Sequence, residues 1–195
     1  MIKLEMSGSV KDAIYRRCAV RSYLSQKLDK AVVRALLDAA VRAPTAIHEE
    51  PWVFVVVQDA GLLRRLSDRA KAFFVEEINH QHLDRGGHAL DSFRHPDFNI
   101  FYDAGTLIVI CGRPLGPFVA ADCWLAAENL MLAAYSMGLG TCVIGSAVSG
   151  LNSQEMKAEL GIPAEVSAVA PIIVGVPRGE AFPTPRKEPQ VLAWK

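Results

Sequence analysis

Apolar positions along the chain switch between helical and strand periods, and the switches predict the elements. Lys11 to Arg17 has helical character, with Val10, Ile14 and Arg17 on one side. A second helix begins at a capping Asp29. It carries Val33, Leu36, Leu37, Ala40 and Val41 at helical spacing and stops at Pro44. WVFVVVQD, from Trp52 and bounded by Pro51 and Asp59, is rich in β-formers. Its unbroken apolar run predicts a strand covered on both faces. Leu62 to Asn79 reads as helix. His80 to Asn99 loses the period and reads as a loop or short helix near the surface. AGTLIVIC, residues 104–111, is a second buried strand. Phe118 to Met137 is an apolar helix closed by Gly138, which tolerates a left-handed cap. TCVIG from Thr141 is a short strand, Asn152 to Leu160 a helix ending at Gly161–Pro163, and VSAVAPIIVGVP a long strand. From Arg178 the chain is an extended arm ending in VLAWK. No repeat or linker interrupts residues 1–195, so one domain of two or three layers, α/β or α+β, is expected.

Composition narrows the classes. Hydrophobic residues make up 51% and charged residues 22% of 195, which excludes a disordered chain. Basic and acidic residues balance at 21 each, so no nucleic-acid partner is expected, and copies repel one another little. Phe118–Met137 is long enough to span a bilayer, but it contains Asp122, Glu128 and Asn129. A charge at the centre of a spanning helix costs about 3 kcal/mol, so the helix is expected inside protein, with no membrane partner. Cys18, Cys111, Cys123 and Cys142 are scattered, without a CxxC pair, and the first residues show no signal-peptide core. Reduced thiols in the cytoplasm are the expectation.

Three segments carry candidate chemistry. YRRCAVRSY places Arg16, Arg17 and Arg21 where a helix ends, and guanidinium forks match phosphate oxygens. The competing reading is a solvated basic helix end. APTAIHEEPW, residues 43–52, is a loop held against a strand, able to bring polar groups to a ligand edge or merely to connect helix and strand. GLGTCVIGS, residues 138–146, is not a dinucleotide loop: the spacing is not GxGxxG, and it follows a helix and precedes a strand. His80, His82, His88 and His95 with Asp84 and Asp91 have metal-ligand types at irregular spacing and read as a solvated loop, so no metal is expected. No GxSxG elbow is present, and no acid–base dyad stands out.

Taken in order, the segments IYRRCAVRSY, LLDAAVRAPTAIHEEPWVFVVV, ENLMLAAYSMGLGTCVIG with Asp122 ahead of it, LGIP, the strand ending in GVP, and a late PRK resemble the flavin-dependent nitroreductase family over nearly the whole chain. The resemblance implies an α+β, three-layer fold: a mostly antiparallel sheet flanked by helices, in an intertwined homodimer with FMN at the interface. It implies that Arg17 and Arg21, with Cys18 and Ala19 between them, hold the FMN phosphate, helped by Arg186 and Lys187. Pro44, Thr45, Ala46, Ile47 and His48 would reach the flavin from the partner subunit. Val143, Ile144, Gly145 and Ser146 would line its edge, with the Gly145 backbone near N5. No side chain is implied as catalytic, because hydride from NADH or NADPH passes through flavin N5 to an oxidised acceptor such as a nitroaromatic, quinone or enone. Alternatives are a dehalogenase or flavin-fragmenting member of the family, or a flavin-binding protein without turnover. The chain departs from the family pattern at Cys18, Ala19, His48 and Glu49–Glu50, and its segment before AGTLIVIC is short.

Overall fold

A computed structural model describes residues 9–80 and 91–195. Helix α1 (Val10–Arg16) starts from a reciprocal cap: Asp12 N–H donates to Ser9 Oγ at 3.1 Å, and the Asp12 carboxylate accepts from Ser9 N–H at 3.4 Å. It turns Ala13 inward and leaves Val10 and Ile14 exposed. Helix α2 (Lys30–Ala40) has Asp29 at its N-cap position, but the Asp29 side chain makes no capping hydrogen bond; Val33, Leu36 and Ala40 form the buried stripe.

Strands β1 (Trp52–Val57), β2 (Thr106–Gly112), β3 (Gly140–Val143) and β4 (Ser167–Gly175) form an antiparallel sheet in the order β1-β2-β4-β3. Along β2 the side chains alternate between two cores. Leu107, Val109 and Cys111 pack on the side of α3 (Ala60–His80). Ile108 and Ile110 pack on the side of α2 and α5 (Val119–Ser136). Helices α6 (Val148–Leu151) and α7 (Gln154–Leu160) join α3 through Leu151 and Met156. The result is three layers, helix–sheet–helix, and the class is α+β. Both cores need the central strands to be apolar on every residue, which is why β2 reads as an unbroken hydrophobic run.

Several expectations are corrected. β1 is covered on both faces but incompletely: Val53, Val55 and Val57 join the α3 core, and Trp52 and Phe54 the α2–α5 core. It lies at the sheet edge with β2 alone beside it, so Val53 to Val55 are half-buried and Val56 is exposed. The helix expected over Asn152–Leu160 starts only at Gln154, where Ser153 Oγ accepts from Met156 N–H at 3.3 Å. Asn152 is withheld from it because its side chain ties the preceding turn to β4: Nδ2 donates to the Val148 and Ala168 carbonyls, and Oδ1 accepts from Ala168 N–H. α3 begins at Ala60 rather than Leu62, with Asp59 Oδ1 accepting from Leu62 N–H at 2.7 Å. In the stretch expected as loop or short helix, α4 (Asp91–Arg94) is a short helix, while His82, Asp84 and His88 lie outside the described residues. Gly138 does take the left-handed conformation, at φ 71°. Residues 178–195 are without helix or strand, and nearly all of them are exposed.

Residues 19–24 run along the open edge of β3 and past the end of β4. Val20 N–H donates to the Thr141 carbonyl at 2.9 Å, Leu24 N–H to the Val176 carbonyl at 3.0 Å, and the Tyr23 hydroxyl to the Val20 carbonyl at 2.7 Å. Gly140 permits this approach: a Cβ there would lie 2.7–2.9 Å from three Val20 side-chain atoms. Gly140→Ala is therefore expected to lower stability by about 1–3 kcal/mol through overpacking, read as a shift of the urea midpoint.

Candidate functional site

The arginine segment is built onto the β3 edge. Ala19 bridges Thr141 in parallel. Arg17 closes α1, its backbone N–H donating to the Ala13 carbonyl. Its guanidinium is mostly covered and lies 3.6 Å from the Glu128 carboxylate of α5, while Nε is buried without a hydrogen-bond partner. Arg21 is exposed. Its guanidinium carbon stands 6.0 Å from the Tyr102 ring centre, and its charge acts on the Cys142 thiol. Arg17, Cys18 and Thr141 line a cavity of about 150 Å³ beside Tyr135 and Gly138. Arg21 lines a second cavity of about 320 Å³ with Tyr102, Asp103 and Arg178. The two arginines thus flank Cys142 but open onto different spaces. Arg178 fixes the turn between them and the tail, donating from Nε and Nη2 to the Tyr23 carbonyl at 3.2 Å.

The backbone at Val143–Ser146 departs from the sheet for a definable reason. Ile144 N–H donates to the Pro171 carbonyl at 2.9 Å, and an antiparallel pair would return a bond from residue 171 to the Ile144 carbonyl. Proline has no N–H to give. The β3–β4 ladder ends there, and the Ile144 carbonyl accepts from Ala147 N–H at 2.9 Å instead, making the 3-10 turn Gly145–Ala147. The Ile144 side chain is buried, so this corner presents backbone outward. Gly145 is exposed, and a Cβ on it would meet nothing within 4 Å.

The loop at Pro44–His48 lies elsewhere. Ala46–His48 is a 3-10 turn, and Ile47 and His48 take left-handed backbone angles, φ 47° and 58°. Such angles strain residues with a Cβ and occur most at functional turns. Asp122, in the first turn of α5, holds the loop: Oδ1 accepts from Ala46 N–H at 3.1 Å. Asp122 is only 3% exposed, and its Oδ2 has no hydrogen-bond partner. From Asp122 to Tyr135, beside the arginine cavity, α5 advances about 20 Å at 1.5 Å per residue. Within one chain the loop therefore sits at the start of this helix, while the arginine segment lies along its later part, from Glu128, about 9 Å further on and facing Arg17, to Tyr135. Arg186 and Lys187 are exposed in the tail, and no hydrogen bond or ion pair among the described residues ties them to Arg17 or Arg21. The tail meets the arginine segment earlier, where Pro177, Gly179 and Ala181 line the smaller cavity.

Among residues that sequence reasoning passed over, Asp122 and Glu128 are the most telling. Both are visible as charges in an apolar helix and as part of the family-like segment, but neither position in the sequence points to the contact it makes. Tyr23, Tyr102 and Arg178 gave no signal of their own, because their roles depend on contacts remote in sequence.

The nitroreductase family model matches residues 14–176, a span containing the arginine segment, the strained loop and the Gly145 corner. The chain belongs to the nitroreductase family. Its relatives and solved neighbours bear this out at full length. The chain is 26% identical to NADH dehydrogenase of Thermus thermophilus, over 95% of each. It is 30% identical to 5,6-dimethylbenzimidazole synthase of Rhodospirillum rubrum, over 94% of this chain and 88% of that one. The crystal structure of a nitroreductase with bound FMN from Bacteroides fragilis covers 96% of each chain, with 26% identity and a TM-score of 0.76. Among the described residues of this nitroreductase-family chain, no helix is long and apolar enough to cross a membrane.

The four cysteines are free, and their environments differ. Burial pushes the Cys123 thiol up to about 12 and the Cys111 thiol up to about 11. Burial also raises Cys142, although Arg21 and Arg17 oppose it. A thiol at 12 is thiolate in roughly one part in ten thousand at pH 8. Cys18, half-buried at the end of α1, is therefore expected to be the fast-reacting thiol in the folded protein, with all four reacting in urea. A thiol-exchange time course at pH 8 checks this. The raised pKa values also set a pH dependence. The folded state holds these protons more tightly than the unfolded chain, so their stabilisation is complete below about pH 9 and falls as pH rises towards 11–12. Urea midpoints measured between pH 8 and 11 should fall accordingly.

Proposed function

We propose that the protein is an FMN-dependent NAD(P)H oxidoreductase that works as a homodimer and reduces a small oxidised acceptor such as a nitroaromatic, quinone or enone. The observation that carries this reading is that the Ala19–Thr141 bridge lays the segment holding Arg17 and Arg21 along β3, the strand that runs on into the Gly145 corner. The donor set fits the cofactor. Arg17 faces one carboxylate, Glu128, and its Nε lacks a hydrogen-bond acceptor, while the exposed Arg21 guanidinium stands apart from that carboxylate, so the pair has positive charge to offer a terminal phosphate. The Val143–Ser146 backbone, with open space over Gly145, suits a flat ring lying close to the main chain.

FMN, when bound, supplies the two-electron relay between nicotinamide and acceptor. The chain's own work is to bind and orient. Arg17 and Arg21 hold the phosphate end, with Arg186 and Lys187 as further cations from the flexible-composition tail. The Ile144–Ser146 turn meets the ring edge with backbone groups rather than with an acid or base. The Pro44–His48 loop, held at the first turn of α5 in its own chain, acts on the site of the other subunit. Dimerisation is supported by apolar surface that a lone chain would leave wet: Phe118, Trp124 and Leu125 on and beside α5, and Leu192 and Trp194 in the tail. Unpaired thiols are in keeping with a cytoplasmic setting.

A second reading has one observation in its favour: the 30% identity to a relative named as a synthase. Under it the flavin itself would be consumed. Prolonged turnover in air followed by chromatography of the released cofactor distinguishes the two, since a reductase returns its FMN intact.

The main reading is tested by adding FMN and then NADH or NADPH without oxygen. Bleaching of the flavin at 450 nm is expected with at least one nicotinamide, and a protein that binds no FMN overturns the reading. Arg21→Ala should weaken FMN binding by about 30-fold or more, the equivalent of about 2 kcal/mol for losing one partner of a charge-assisted contact. Arg16→Ala should cost much less, because that side chain, although at the rim of the smaller cavity, is exposed and pairs with Asp12 on its own helix. Light scattering at micromolar concentration should give twice the chain mass.

A further inference from the structure

Asp122 is placed where neither folding nor the ligand contacts named above account for it. It lies in the first turn of α5, where an acid is welcome to the helix dipole, but its side chain leaves that helix and engages a loop. It is almost wholly buried and uses one oxygen of two: Oδ1 accepts the Ala46 amide, and Oδ2 has no donor. A half-satisfied buried carboxylate is a poor device for stability. Replacing both partners of a buried polar contact by apolar groups is often neutral or stabilising, so stability alone does not call for this one. What the contact does achieve is local. Ala46 immediately precedes Ile47 and His48, the two consecutive residues in left-handed conformation. A strained turn of that kind persists only if its surroundings over-determine it. The far end of the tether is firm: α5 buries Cys123, Ala126, Ala127 and Leu130, and Asn129 Nδ2 donates to the Ala39 carbonyl near the end of α2. A rigid helix thus grips the loop at the residue before its strained pair.

From this geometry we infer that Asp122 is a positioning residue for the flavin. Through the Ala46 amide it fixes the shape in which Thr45–His48 is presented to the cofactor across the dimer, at some expense to the stability of its own chain. The inference rests on the FMN reading proposed above.

Three variants test it. Asp122→Ala removes the tether. It should weaken FMN binding at least tenfold by fluorescence titration, and hydrogen exchange of the 43–51 segment should speed up in the flavin-free protein. The thermal midpoint of that flavin-free protein should stay level or rise. Asp122→Asn keeps an acceptor for the Ala46 amide and should bind FMN within about threefold of the parent. Asp122→Leu, which fills the space without an acceptor, replaces the alanine variant if that one does not fold. A parent protein that takes up no FMN overturns the functional reading and this inference together. If the parent binds but the tetherless variant binds equally well, or Asp122→Asn binds as poorly as it does, this inference alone falls. A fall in thermal midpoint with unchanged loop exchange would assign Asp122 to general stability and would also overturn it.

Discussion

Helix α5 is held against the sheet on one side and against α2 on another, and the parts that could meet a ligand are hung from points along it. Its first turn grips the strained loop through Asp122. Its middle carries Glu128, which faces Arg17. Its end passes through Gly138 into β3, the strand that receives the arginine segment. Burial of Cys123, Ala126, Ala127, Leu130, Met131 and Ala134 fixes the helix in rotation as well as in place. With alanine at so many contact positions the helix lies close to the sheet, so the spacing between its two functional ends is set by helical rise alone.

That spacing explains how a chain with no evident catalytic side chain can belong to a family of enzymes. The loop is gripped at the first turn of α5 and the cationic edge lies along its later half, from Glu128 to Tyr135, so nothing among the described contacts joins them within a single copy. In the homodimer proposed above they would make one when two copies meet, and the exposed apolar residues on α5 and in the tail are of the kind that drives such a meeting. Fold and site are then one problem: the same helix that completes the core also determines where each half of the site is displayed.

Most of the architecture was legible in the sequence because both periods are clean where burial is complete. β2 reads as strand from its unbroken apolar run, and α5 from its length and its closing Gly138. Legibility failed where tertiary contacts override local pattern. The apolar run of β1 predicts two covered faces, and both cores do reach it, yet its position at the sheet edge leaves the cover thin and Val56 exposed. Asn152 looked like the start of a helix until its amide proved to be joined to β4. In the site, arginines and glycines announce themselves, because few residue types can do their work. Asp122 and Pro171 do not, since an acid in an apolar helix and a proline in a strand acquire meaning only from what lies opposite. The order of the segments along the chain, rather than any single one, carried the likeness to the family.

The ion pair between Arg17 and Glu128 has a further consequence. An anion arriving at Arg17 must compete with a carboxylate that the chain supplies itself, half-exposed and on a rigid helix. Glu128 acts as a resident placeholder. It keeps the guanidinium aligned while no ligand is present, and it subtracts from the net attraction when one arrives. Dissolved salt screens both relationships at once, loosening the placeholder as it weakens the pull on the newcomer. The response of binding to ionic strength should therefore be shallower than a bare pair of arginines would give, and the surrounding electrolyte becomes a weak control on occupancy.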